Sequence, residues 1–371
     1  MKIGFDAKRA FCNSRGLGNY SRGTIAALTR LRPDNEYFLF TPEKRPEFQN
    51  LSYPNSTIIS PTTAADRAMP SLWRTFRCTR EISARNLDIF HGLSHELPLG
   101  IGRCKARSVV TIHDLIFITH PQLYPAIDRM TYTLKYRHSC NAADKIIAIS
   151  QQTKTDIVNH WKIPEEKIEV VYQGCNPIFQ KPVSEDEINN VRNKYNLPTE
   201  YLLHVGAIER RKNQAVILQA MKGSKHDIPL VLVGSGGEYL KTLQHDFPDL
   251  FASRVILLRR VPDRDLRAIY AAASIFIYPS LYEGFGIPIL EAMSCGVPTI
   301  TTSDGCFREA GGAACRYINP NAPNQLSEEI NILLDDSGLR SECVARGRQQ
   351  MSKFTEENIA AKLSEIYETI L

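Results

Sequence analysis

The chain has 371 residues, 43% hydrophobic and 23% charged, with a net charge of +5. That make-up describes a folded globular protein too long for one average core, so two domains are expected. No apolar run approaches the roughly 18 residues that span a bilayer, and the charge is too modest and the aromatics too few for a nucleic-acid binder.

In chain order, the opening "MKIGFDAKRA" reads at once as a strand; an acid interrupts its few apolar positions, so it is no signal peptide. Short β-branched runs then follow as strands over 2–7, 36–41, 56–61, 87–92, 108–114 and 144–150. Turn residues Gly174, Asn176, Pro177 and Pro182 mark a break. Further strands are expected over 201–207, 228–234, 254–260, 274–280 and 297–302. Several are nearly continuous apolar runs, as strands buried on both faces require. Helical patterns such as "NQAVILQAMKG" and "DRDLRAIYAAA" separate them, and strand–helix alternation means parallel, doubly wound sheets. The expected fold is α/β, with two Rossmann-like domains over 1–175 and 180–352. A final amphipathic helix, 353–371, should pack back on the first domain. With two such sheets facing each other, the site belongs in the cleft between them, outside the strands' carboxyl ends.

Charge follows the same division. Residues 1–178 carry 24 Lys and Arg against 16 Asp and Glu, and residues 179–371 carry 21 against 24. A basic first half and a mildly acidic second imply different partners. The nine cysteines are scattered, odd in number and without a Cys-x-x-Cys pair. They argue against a disulfide framework and a zinc site, and for free thiols in a reducing, cytoplasmic compartment.

The stretch "LYEGFGIPILEAMSCGVP" (281–298) follows an expected strand directly. Gly284 and Gly286 let the backbone approach a ligand, and the N–H groups of residues 285–287 lie at the positive end of a helix that Pro288 helps to start. Glu283 and Glu291 crowd the same region. Ionised carboxylates accept two donors from a vicinal diol, so the pairing suits a ligand with phosphate in the middle and hydroxylated rings on both sides. A sugar nucleotide is such a ligand. Alternatively, Glu291 complements a helix dipole and Glu283 is a solvated turn residue.

"HVGAIERRKNQ" (204–214) ends another strand at Gly206 and places Arg210, Arg211 and Lys212 before a helix with Asn213 as expected N-cap. Cations there oppose the dipole unless an anion relieves them; alternation favours Arg211 and Lys212 as the pair that faces the site. In the first half, "SRGLGNYSRG" holds Gly16 and Gly18, but not Gly-x-Gly-x-x-Gly, so a dinucleotide signature is weak. His113 and Asp114 end one strand and His91 the one before it; each histidine is either a structural or a functional group. "DRAMPSLWRTFRCTREISARN" (66–86) sets Trp73 and Phe76 among five arginines. It can dock on an anionic membrane surface, or pack its aromatics and solvate its arginines.

These residues resemble the retaining glycosyltransferases of family 4, the mannosyltransferase-like group 1 glycosyltransferases with the GT-B fold. The likeness runs through "GLGNYSRG", "TIHDL", "AISQQTKTDI", "VGAIERRKN", "EGFGIPILEAMSCGVPTI" and "REAGGAACRYINP". It implies a nucleotide-diphosphate sugar, GDP-mannose or a UDP-hexose, held mainly by the second domain. Glu283 would touch the transferred sugar with the backbone of Phe285, Gly286 and Ile287, Glu291 would hold the ribose, and Arg211 and Lys212 the diphosphate, with Gly206 and Gly284 beside them. Gly16 and Gly18 would border the diphosphate and the acceptor, and His113 would position the reacting sugar; Arg15, Asn19, Asp114 and His91 fall on the acceptor side. The resemblance further implies no metal or other cofactor, and a glycan or lipid-pyrophosphate-linked acceptor at the inner face of a membrane. Many members have Arg where this chain has Ala207, and Arg211 would supply that charge. A GT-B sugar-nucleotide epimerase would share the donor site, whereas an NAD-dependent oxidoreductase would need a glycine signature and a ribose acid that are missing. A non-catalytic sugar-nucleotide binding protein is the remaining class.

Overall fold

A computed structural model describes all 371 residues. It forms two compact units, Met1–Gly174 together with Phe354–Leu371, and Cys175–Lys353. The first unit is built on seven parallel strands: β1 (Lys2–Asp6), β2 (Glu36–Phe40), β3 (Ser56–Ile59), β4 (Ile89–Gly92), β5 (Arg107–Ile112), β6 (Lys145–Ala148) and β7 (Ile168–Val170). Their order is β3-β2-β1-β4-β5-β6-β7. The second unit has six parallel strands: β8 (Leu202–Val205), β9 (Leu230–Val233), β10 (Val255–Leu258), β11 (Ile275–Tyr278), β12 (Thr299–Thr302) and β13 (Arg316–Ile318). They run β10-β9-β8-β11-β12-β13. Each sheet therefore reverses its winding once, between β1 and β4 and between β8 and β11. A crevice forms at the carboxyl ends of such a pair, because the flanking connections leave toward opposite faces.

The central strands are apolar on both faces. β8, β9 and β11 are buried throughout, and Leu202, Leu230, Leu232, Ile275 and Ile277 pack with Val216, Ile217 and Leu218 of the helix Gln214–Gly223. The edge strands β7 and β13 were not expected. Three residues each, they are too short to show a period, and pairing with β6 and β12 is what holds them.

The C-terminal helix Glu356–Ile370 starts at Thr355, whose side chain accepts from the Asn358 N–H. Its buried Leu363, Ile366 and Tyr367 pack with Ile3, Phe5, Ile25 and Leu28 of the first unit. The arginine-rich segment 66–86 divides its aromatics: Trp73 is 3% exposed and lies in the core, while Phe76 is 51% exposed. No helix is long and apolar enough to cross a membrane.

Candidate active site

In the second unit, residues 279–286 lead from β11 into the helix Ile287–Ser294. Gly286 is its N-cap at φ 107°, a conformation that costs glycine little. Phe285 is buried beside it, and Ile287 opens the helix. At the end of β8, Gly206 takes φ 151°. A Cβ built on Gly234 would fall 1.9 Å from the Gly206 carbonyl oxygen, so the ends of β8 and β9 meet without side chains between them.

A single 3-10 turn, Arg210–Lys212, follows β8. Lys212 is buried, and its Nζ donates to Glu283 Oε1 at 2.5 Å and to the Tyr278 hydroxyl at 2.6 Å. That hydroxyl in turn donates to Glu283 Oε1 at 3.1 Å. Arg211 Nη1 lies 2.7 Å from Glu283 Oε2 and donates to the Tyr282 carbonyl at 2.7 Å, while its Nη2 donates to Glu209 Oε1 at 2.7 Å. Arg210 turns away and lies over the Tyr239 ring. Asn213 is in the left-handed region and makes no capping bond; its side chain donates instead to the carbonyls of Pro279 and Pro320. The expected cap is thus a tie between loops.

Glu283 exposes 12% of its side chain. Burial alone would raise its pKa, but Lys212 and Arg211 outweigh burial and hold it at about 2. Burial lowers the Lys212 pKa against the pull of Glu283. Glu291, on the following helix, accepts from the Tyr270 hydroxyl at 3.0 Å. Burial pushes its carboxyl up to about 7, the Tyr270 bond opposes that, and Asp263 adds to it. Two cations are therefore fixed beside the N-terminal end of a helix, with one fully ionised carboxylate between them and a second poised near neutrality. Such a site can take a diphosphate on its cations and hydroxyl groups on its carboxylates.

Comparison with known proteins is consistent with this geometry. The profile described as Glycosyl transferases group 1 matches residues 186–350, and that of Glycosyltransferase Family 4 matches residues 14–178. The O-antigen chain mannosyltransferase B of Escherichia coli is 31% identical over 392 aligned positions that cover the whole of both chains. The chain belongs to glycosyltransferase family 4. Another relative of this glycosyltransferase, the O-antigen chain mannosyltransferase RfbU of Salmonella typhimurium, is 25% identical over 82% of this chain and 83% of its own. Among solved structures, Anabaena Alr3699/HepE in complex with UDP and glucose superposes with a TM-score of 0.75 at 18% identity, covering all of both chains, and so shares the fold.

Other residues singled out in the glycosyltransferase's sequence lie in the first unit. Gly16 opens the helix Gly16–Leu31, with nothing within 4 Å of where a Cβ would stand. Gly18 is required by packing, since its Cβ would fall 1.7 Å from the Asn13 carbonyl oxygen. Arg15 and Asn19 are exposed, and Asn19 accepts from Arg22 at 2.5 Å.

His91 is a correction. It is fully buried, with Nδ1 2.7 Å from the Tyr367 hydroxyl and Nε2 2.8 Å from Thr111 Oγ1. It joins β4 to the C-terminal helix and to β5, and presents nothing to an acceptor. His113 is also buried, and its Nε2 donates to the Leu93 carbonyl at 2.9 Å while Nδ1 accepts from Gln173 Nε2 at 3.1 Å. Burial lowers its pKa to about 4. This neutral ring has both nitrogens occupied, so the sugar-positioning role implied by resemblance has no free imidazole nitrogen to act through. Asp114 is half-buried and caps the next turn through the Ile116 N–H at 3.2 Å.

Tyr278, Glu209 and Tyr270 complete the site and were not singled out. Their one sequence signal is Tyr278 itself, a polar-tipped residue closing the apolar run "SIFIY".

Proposed function

We propose that this glycosyltransferase moves a hexose from GDP-mannose or a UDP-hexose to a glycan or lipid-pyrophosphate-linked acceptor, with retention at the anomeric carbon, in cell-surface polysaccharide synthesis. The observation that carries the reading is Glu283 held between Arg211 and Lys212 beside the Gly286 helix start. In the proposed step the bond from the anomeric carbon to the diphosphate oxygen breaks. Arg211 and Lys212 stabilise the negative charge that collects on the leaving diphosphate. Glu283 and the N–H groups of Phe285 and Gly286 hold the sugar while its ring gains oxocarbenium character. The acceptor hydroxyl then bonds to that carbon on the face the diphosphate leaves, and the departing phosphate oxygen takes its proton. Glu291 accepts the two ribose hydroxyls. With two cations on the leaving group, no metal and no other cofactor is needed.

Relatives and neighbours support the choice of donor by their own chemistry. The Escherichia coli and Salmonella typhimurium relatives are O-antigen mannosyltransferases, and the Anabaena neighbour binds UDP and glucose. Family membership speaks against the epimerase, which would share the donor site. A panel of UDP-, GDP- and ADP-sugars screened by thermal shift should single out a GDP- or UDP-hexose. Proton NMR of the product should then show the donor's anomeric configuration, in chelator as well as without it. Inversion, release of sugar independent of acceptor, or turnover lost in chelator and restored by manganese would each refute the corresponding part.

An anionic bilayer on the cytoplasmic side is the proposed setting. Met69, Leu72 and Phe76, and separately Ile127, Met130 and Leu134, are exposed at helical spacing in the basic first unit. Exposed Arg67, Arg80 and Arg137 lie on the same two segments.

A further inference from the structure

His204 and Gln214 are polar side chains of the second unit, both 0% exposed, and the donor reading leaves them unused. His204 is the third residue of β8, and Gln214 opens the helix that follows the Arg210–Lys212 turn. The two side chains meet across that turn.

Their hydrogen bonds admit one arrangement. His204 Nδ1 lies 2.9 Å from the Ile277 carbonyl of β11, which can only accept, so Nδ1 carries the proton. Burial lowers the ring's pKa to about 4, so the ring is neutral and Nε2 is an acceptor. Gln214 Nε2 donates to that nitrogen at 3.0 Å and to the Ala207 carbonyl at 2.9 Å. Turning the amide over would set its oxygen against two acceptors. The cost of this arrangement is Gln214 Oε1, which is buried without a partner. An apolar side chain would fill the same place with no orphaned oxygen, so the pair is explained by what it holds rather than by core packing.

What it holds is the chain between β8 and the cations. The peptide that joins Ala207 to Ile208 is fixed on both sides, its carbonyl by Gln214 and its N–H by the Ser235 carbonyl at 2.9 Å. The Gly206 N–H donates to the Val233 carbonyl, also at 2.9 Å. Between them the Ala207 N–H makes no bond within the protein, and Ala207 is exposed. The His204 ring in turn stacks on Tyr278, with 5.9 Å between centroids and 20° between planes. Tyr278 carries the Lys212 ammonium, which donates to its hydroxyl and lies 4.9 Å from the centre of its ring. One buried pair therefore sets both an unspent backbone donor and the seat of a cation.

We infer that His204 and Gln214 are positioning residues for the diphosphate, holding the Ala207 N–H and Lys212 as fixed donors to it. The inference rests on the donor reading and adds a neutral backbone donor to its two cations. Neither side chain is exposed, so each acts through the 206–208 backbone or through Tyr278.

Calorimetric titration of the full chain with GDP and with UDP, alongside thermal melts, tests it. Gln214→Met and His204→Leu should each bind the tighter nucleotide at least tenfold more weakly than wild type while still melting cooperatively. The double variant should lose no more than the worse single one, because both residues act through one network. His204→Gln should recover most of the binding, since its amide oxygen stands where Nε2 does and accepts from Gln214. Unchanged binding in the folded single variants, losses that add in the double, or His204→Gln as weak as His204→Leu would each overturn the inference. Variants that fail to fold would overturn it too, by making the pair structural. In all these cases the wild type still binds through Arg211 and Lys212. Wild-type binding that is absent, or indifferent to Arg211→Ala and Lys212→Ala, would instead sink the donor reading and this inference with it.

Discussion

Glu283 and Glu291 belong to one short stretch, yet their surroundings drive their carboxyls in opposite directions. Lys212 and Arg211 hold Glu283 near 2, so its contribution to stability is present above the ordinary carboxylate range and is lost as pH falls through about 2. Burial lifts Glu291 to about 7, so its contribution is complete below the ordinary range and is lost as pH rises through about 7. Ionised Glu291 is the better partner for a diol, because it only accepts. Donor affinity should therefore rise from pH 6 to pH 8, by up to about tenfold if the ionised form alone binds. Calorimetric titration of the nucleotide sugar against wild type and Glu291→Gln checks this; the same slope in the variant would rule Glu291 out as its source. The pair of acids and the basic turn were legible because their residue types are unusual at a helix start. Tyr278, Tyr270 and Glu209 were not, because nothing in a one-dimensional pattern shows which aromatic hydroxyl or turn carboxylate meets a distant charge.

Among the elements, eleven strands could be read as apolar runs, since burial on both faces leaves a continuous signal. β7 and β13 could not, because neighbours stabilise them more than composition does. Helix starts were less legible still. Asn213 has the right chemistry for a cap, but its left-handed backbone directs the amide to two other loops. His91 shows the same limit. Its place at a strand end suggested the site, whereas β4, β5 and the C-terminal helix close over it. His91→Ala would leave the Tyr367 and Thr111 hydroxyls buried without that partner and should destabilise the fold by about 3 kcal/mol. Tyr367→Phe should cost about 1 kcal/mol. Urea melts followed by circular dichroism measure both, and a His91→Ala loss below that of Tyr367→Phe would contradict the structural role.

At the scale of the whole molecule, the sequence divides charge between a basic first half and a mildly acidic second, and the structure adds two exposed apolar ridges on helices of the first unit. A ridge at i, i+3 and i+7 reads as core in a sequence, and coordinates were needed to show Ile127 and Leu134 facing outward. Replacing Ile127, Met130 and Leu134 together by glutamate should abolish sedimentation with phosphatidylglycerol vesicles and leave thermal stability intact. Wild-type binding that persists unchanged at 1 M salt, or never appears, would count against an anionic bilayer. The central claim is that Arg211 and Lys212 are set for a diphosphate, with Glu283 between them for the sugar. The most direct measurement is Glu283→Gln, followed by turnover with the donor found in the panel and by calorimetric binding of the free nucleoside diphosphate. Turnover should fall about 10²-fold or more, while the diphosphate binds as tightly as before or tighter, since a carboxylate no longer competes for the cations. Turnover close to wild type, or diphosphate binding lost together with activity in a folded variant, would contradict it.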